Sequence, residues 1–229
     1  MAKHIGIVAA TAEAAASCYR RICREASRVL GEHTHPEISI HNFSFADYMN
    51  RVWQEDWEGA SQKMLASANK LVDGGAEVLI CPCNTLIPAL HEIRERGPAP
   101  WISMVDVVVA EAREQRYKKL GLIGTRYVIE AAVYSEALEA VGIVCERPTE
   151  SECNRADRVI FVELVDGVVT DDAKETFHDL VQKMADRGCE AVVLACAEAS
   201  ELIRPGETAI PTLDSNRLLA RAVLAAALE

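Results

Sequence analysis

The sequence predicts an α/β protein made of two pseudo-symmetric parallel-sheet domains, and three observations carry that expectation. Short apolar runs alternate with amphipathic stretches of helical length. Two of those runs end in a cysteine, Cys83 and Cys196, each with a glycine eight residues earlier. The 229 residues are long enough for one large domain or two small ones, with a core that needs no disulfide or metal staples.

The first strand is expected over 4–9, where the run from Ile5 to Ala10 is too short, and too soon followed by Glu13, to act as a signal peptide. Further strands are expected over 38–43, 77–82, 101–105, 119–124, 191–196 and 209–213, each a short apolar run bounded by glycine or polar residues. Between the second and third lies a helix over 59–73, with Met64, Leu65, Ala68, Leu71 and Val72 on one face and Gly74 and Gly75 as its stop. No segment offers eighteen uninterrupted apolar residues, and Arg221 breaks the apolar stretch near 218–228, so a soluble protein without a membrane partner is expected.

A weak internal repeat organises the chain. LGLIGT at 120–125 echoes IGIVAAT at 5–11, and GCEAVVLACAE at 188–198 echoes GAEVLICPCNT at 75–85. Gly6 precedes Cys83 by 77 residues and Gly121 precedes Cys196 by 75. Two copies of one unit follow, with expected boundaries 1–105 plus 207–229 for the first and 106–206 for the second. Both cysteines then fall at the carboxyl ends of parallel strands, where open α/β sheets bind ligands.

A cysteine in that position, followed by a turn into a helix, has backbone N–H groups and a helix dipole to favour its thiolate. Two such groups, one thiolate and one thiol acting on opposite faces of a carbon, are what stereoinversion requires. Polar Asn84, Thr85 and Glu198 follow the cysteines, where a merely structural strand end has no need of them. The formal net charge of −11 argues against nucleic acid and anionic membranes and for a small ligand. The eight cysteines read as cytosolic thiols, which places the protein in the cytoplasm. Their spacings, with His33 and His35, match no zinc site, and neither a GxGxxG nor a GxSxG motif is present. Trp53, Trp57 and Trp101 are expected to pack, and Cys81 to lie in the core.

With CNT at 83–85, CAE at 196–198, GT at 124–125 and LDSNRLLARA at 213–222, the chain resembles the aspartate/glutamate racemase family essentially end to end. The resemblance implies two α/β domains with the active site between them, racemisation without pyridoxal phosphate, metal or other cofactor, and a homodimer. It assigns catalysis to Cys83 and Cys196 and binding of the substrate α-carboxylate to Asn84 and Thr85. Thr11 and Thr125 occupy the equivalent loops after the first strand of each half, and Ala197 and Glu198 the positions after the second cysteine. Ile87 stands where members commonly carry histidine, and Ala197 where they carry threonine. Arg51, Arg126 and Lys174 are the cations in segments suited to a substrate side-chain carboxylate. The expected function is racemisation of aspartate or glutamate. The alternatives are isomerisation or racemisation of another small carboxylate or hydantoin on the same fold, and a binding protein that retains the fold without turnover.

Overall fold

In the computed structural model, which describes residues 2–204 and 206–229, the first parallel sheet is seeded by β1 (Ile5–Ala9), buried at every position. The chain then runs through α1 (Ala12–Leu30), β2 (Ile38–Asn42), α2 (Phe45–Val52), α3 (Trp57–Asp73), β3 (Val78–Ile80), α4 (Ile87–Ile93) and β4 (Trp101–Ile102). Helix α5 (Met104–Glu114) leads to β5 (Lys119–Gly124), α6 (Arg126–Glu130), α7 (Val133–Glu139), β6 (Val144–Glu146), α8 (Glu150–Val162), α9 (Asp171–Asp186), β7 (Ala191–Ala195), β8 (Thr212–Asp214) and α10 (Ser215–Leu228).

Each sheet has four parallel strands, in the order β2-β1-β3-β4 and β6-β5-β7-β8. The two orders are the same pattern, so β3 and β7 occupy the same slot, beside the strand that opens each half. Register is set by Ile5↔Val78 and Ile7↔Ile80 in the first sheet and by Leu122↔Val193 and Gly124↔Ala195 in the second. The fully buried runs of β1, β3 and β7 are continuous apolar sequence, as strands covered on both faces must be.

The glycines eight residues before each cysteine have the same job. Gly75 (φ 98°) follows α3 and Gly188 (φ 80°) follows α9, both in the left-handed region that turns a helix end into the next strand. The chain divides into two compact units, one of the residues up to Met104 with Leu219–Glu229, the other of Val105–Leu218. The expectation that 207–218 returns to the first domain does not hold. Thr212, Leu213 and Asp214 pair with Val192, Val193 and Leu194, because β8 completes the second sheet before α10 begins. Strand β6 has no counterpart among the expected strands, since its exposed Val144 makes too short a run to stand out.

In the first unit the core gathers Ile5, Ile7, Tyr48, Met64, Leu79 and Ile80, and in the second Phe177, Leu180, Met184, Val192 and Leu194 pack together. Trp101 is buried as expected, but Trp53 is 62% exposed, because it caps the end of α2 and its ring lies beyond the buried face of Tyr48, Met49 and Val52. All eight cysteines are free thiols. Among the described residues no helix is long and apolar enough to cross a membrane, and no cluster of three or more His, Cys, Asp or Glu could hold a metal.

Candidate active site

The first unit gathers its expected site residues at the carboxyl edge of its sheet. Strand β1 ends at Ala9, and Thr11 caps α1 by accepting a hydrogen bond from the Ala14 N–H at 3.3 Å. Strand β3 ends at Ile80, and Cys83, in extended conformation, opens a 3-10 turn at Asn84–Leu86 whose Leu86 N–H returns to the Cys83 carbonyl at 3.3 Å. Pro88 then starts α4, where its missing N–H costs nothing. Cys83 is 9% exposed, and Asn84, Thr85 and Thr11 are buried beside the same edge. Cys81 is enclosed deeper. Burial and the neighbouring Cys83 push its thiol well above the usual range, against the Cys83 backbone N–H that donates to its sulfur.

The second unit repeats the plan with a different second half. Thr125 ends β5 and caps α6, accepting from the Val128 N–H at 3.4 Å. Strand β7 ends at Ala195, and Cys196 and Ala197 lead into a 3-10 turn at Glu198–Glu201, tied by the Ala199 N–H to the Cys196 carbonyl at 3.2 Å. Cys196 is 4% exposed, packs with Leu194, Ala199, Leu202 and Ile203, and donates its S–H to Glu198 Oε2 at 3.3 Å.

The expectation that backbone donors and a helix dipole favour the thiolate needs correction here. The Ala199 and Glu198 N–H groups do donate to the Cys196 sulfur, but burial and the Glu198 carboxylate outweigh them and hold the thiol well above its usual range. The turn after Cys196 is also a single 3-10 segment, without the aligned peptides of a long α-helix. Burial and the neighbouring Glu198 thus bias Cys196 toward the thiol, whose S–H points at the Glu198 side chain.

None of the three cations considered for a side-chain carboxylate is uncommitted. Arg51 pairs with Asp56 at 2.7 Å, Lys174 with Asp171 at 3.0 Å, and Arg126 with Asp157 at 2.5 Å and with Asn154. The Asp157 carboxylate also accepts the Arg126 backbone N–H at 2.9 Å, so this pair fixes the start of α6.

Sequence reasoning singled out 213–222 only as a resemblance, and the structure gives its polar residues definite places. Asp214 accepts from the Ser200 hydroxyl at 2.6 Å and the Arg217 N–H at 3.0 Å, which ties the end of β8 to the turn after Cys196. The Ser215 hydroxyl donates to the Leu194 carbonyl at 2.8 Å, two residues before Cys196. Asn216 is completely buried, and among the described residues neither atom of its side-chain amide has a hydrogen-bond partner. Tyr48, on α2, is likewise fully buried, and its hydroxyl has no partner among the described residues. Nothing in the sequence marks either residue, because an Asn inside a helix and a Tyr on an apolar face are ordinary.

The sequence profile of the Asp/Glu/Hydantoin racemases matches residues 5–223. A glutamate racemase from Aquifex aeolicus (strain VF5) is 27% identical over 162 residues, which are 68% of this chain and 61% of that protein, so the chain spans about 61% of the relative's length. Among solved structures, an aspartate racemase homologue from Pyrococcus horikoshii OT3 is 28% identical with a TM-score of 0.83, the match covering 99% of this chain and 100% of that one. A provisionally assigned Asp/Glu racemase from Yersinia pestis shares the fold at a TM-score of 0.87 and 24% identity, over 99% of this chain and 100% of the other.

Proposed function

The chain belongs to the Asp/Glu/Hydantoin racemase family, and on that premise we propose that it inverts the α-carbon of an acidic amino acid, aspartate or glutamate, without a cofactor, using Cys83 and Cys196 as its two acid/base groups. The observation that supports this most is positional. The two thiols follow strands in the same slot of two sheets of identical order, each at the start of a 3-10 turn.

On this reading one sulfur acts as base and the other as acid on opposite faces of the substrate carbon. The Cys83 thiolate removes the α-proton of one enantiomer, leaving the electron pair on the α-carbon and its carboxylate. Asn84 and Thr85, with Thr11 and Thr125 in the loops after the opening strands and Ala197 and Glu198 beside the second thiol, line the site, and the first two hold that carboxylate while charge develops. Cys196 then delivers its thiol proton to the other face. For the reverse reaction the roles exchange: Cys196, left as the thiolate once it has given up its proton, takes the α-proton, and Cys83 returns the proton it removed to the first face. In the resting thiol the Cys196 S–H is donated to Glu198 at 3.3 Å.

The test uses single Cys→Ala variants and chiral analysis of aspartate and glutamate in deuterated water. Each variant is expected to lose interconversion, and each to exchange the α-proton of one enantiomer only, with opposite preferences. Racemisation near the wild-type rate by either variant would refute the two-thiol reading. A second reading, racemisation of a hydantoin or a neutral amino acid, is favoured by the ion pairs that occupy Arg51, Arg126 and Lys174. Turnover of such a substrate with none of aspartate or glutamate would select it.

A further inference from the structure

We infer that Tyr48 is a positioning residue for Cys83, its hydroxyl donating a hydrogen bond to the Cys83 sulfur when that sulfur is a thiolate. The inference rests on the reading of Cys83 as a base. Its starting point is an unpaired group: Tyr48 is 0% exposed and its O–H has no hydrogen-bond partner among the described residues. Buried hydroxyls are nearly always satisfied, so one without a partner calls for an acceptor that arises in another state of the site.

Topology places that acceptor. Helix α2 starts three residues after β2 ends at Asn42, and Cys83 lies three residues after β3 ends at Ile80. Both strands flank β1 in one parallel sheet, so Tyr48 and Cys83 lie beyond the same carboxyl edge of the same unit. The titratable groups acting on the Tyr48 hydroxyl are Cys81, Cys83 and Asp47, with Cys18 on α1 acting on Cys81 in turn.

Asp47 is half exposed and paired with Lys63 at 2.8 Å. Cys81 is buried, receives the Cys83 N–H and is held as a thiol, which is a weak acceptor. Cys83 is the sulfur that the proposed reaction ionises, and as a thiolate it becomes a strong acceptor able to take a further hydrogen bond. Burial, with Cys81 and Cys83 beside it, holds the Tyr48 hydroxyl well above the usual phenol range, so it stays a donor while Cys83 titrates.

Tyr48→Phe removes the oxygen and little else. The pH dependence of Cys83 alkylation, followed by peptide mass spectrometry with Cys23 as the internal control, is expected to shift upward by about one unit, a tenfold weaker ionisation. The variant is expected to melt no lower than the wild type, because a hydroxyl without a partner leaves the core. An unshifted Cys83 midpoint in the folded variant overturns the inference. If Cys83 resists alkylation, the thiolate ultraviolet absorbance that disappears in Cys83→Ser reports the same midpoint: an upward shift supports the inference and an unshifted one overturns it. The readout needs no turnover. A shifted midpoint in a chain that racemises nothing would defeat the proposed function and leave Tyr48 in its role, whereas normal racemisation with an unshifted midpoint would do the reverse.

Discussion

At Cys196 two opposing influences meet on one sulfur, and their balance gives a prediction. Burial is the larger cause of its raised ionisation and the Glu198 charge the next, while two backbone N–H groups pull the other way. Glu198→Gln removes the charge and leaves the burial, so the pH at which Cys196 ionises is expected to fall. The pH profile of Cys196 alkylation measures this, and a profile that rises or stays in place would show that the carboxylate does not face the thiol in solution. The sign is opposite to that expected at Cys83 in Tyr48→Phe. Both cysteines were legible in the sequence because matched spacing to a glycine is a one-dimensional signal. The S–H to carboxylate contact was not, since residues two apart in a chain face each other only when the backbone turns as it does at Ala197–Glu198. The ion pairs of Arg51, Arg126 and Lys174 were hidden for a similar reason, as each charge is visible in sequence but its partner is visible only in space.

Helices and strands meet most tightly at the two glycines of the opening strands, Gly6 in β1 and Gly121 in β5. A Cβ on Gly6 would lie 2.7 Å from the Leu79 side chain and 2.9 Å from the Ala76 Cβ, which cannot move without its backbone. A Cβ on Gly121 would meet the Met184 Cγ at 2.8 Å and the Met184 Cβ at 2.9 Å, the latter as fixed to its backbone as the Ala76 Cβ. Gly6→Ala and Gly121→Ala are therefore each expected to cost about 1 to 3 kcal/mol, within the range for overpacked cores, as read from urea unfolding midpoints at constant m. A cost near zero at either position would mean that its neighbours yield without strain. At this scale the sequence was informative wherever burial is complete: β1, β3, β5 and β7 are short apolar runs, and α3 stops at its glycine pair. Of the edge strands it found β2 and β4, placed β8 a few residues early at 209–213, and missed β6, whose three residues include an exposed Val144 and pair on one side with β5. So short a run with one partner needs few apolar residues, and composition does not announce it.

For the whole chain, the two-copy organisation was legible from the repeat, whereas the place where the chain passes from one unit to the other was not. The division falls within α10, whose sequence carries no mark at residue 218. Residues 219–229 supply the first unit with buried Leu219, Ala220, Val223, Leu224 and Ala227, and the Ala227 carbonyl accepts the Lys3 N–H at 2.7 Å. The second unit, by contrast, is one unbroken stretch of chain. That difference orders events during synthesis. The half translated first must wait for the segment beyond residue 218 to leave the ribosome, while the half translated second has all its parts by then. Ribosome-bound chains stalled with residue 218 just outside the exit tunnel are expected to resist limited proteolysis over 105–218 and to be cut within 1–104. Equal protection of both stretches would show that β1 to β4 hold together without their last helix. In the cell, the interval between those two moments is when the unfinished first sheet, with its apolar strands made and its covering helix still unmade, is most exposed to chaperones and proteases.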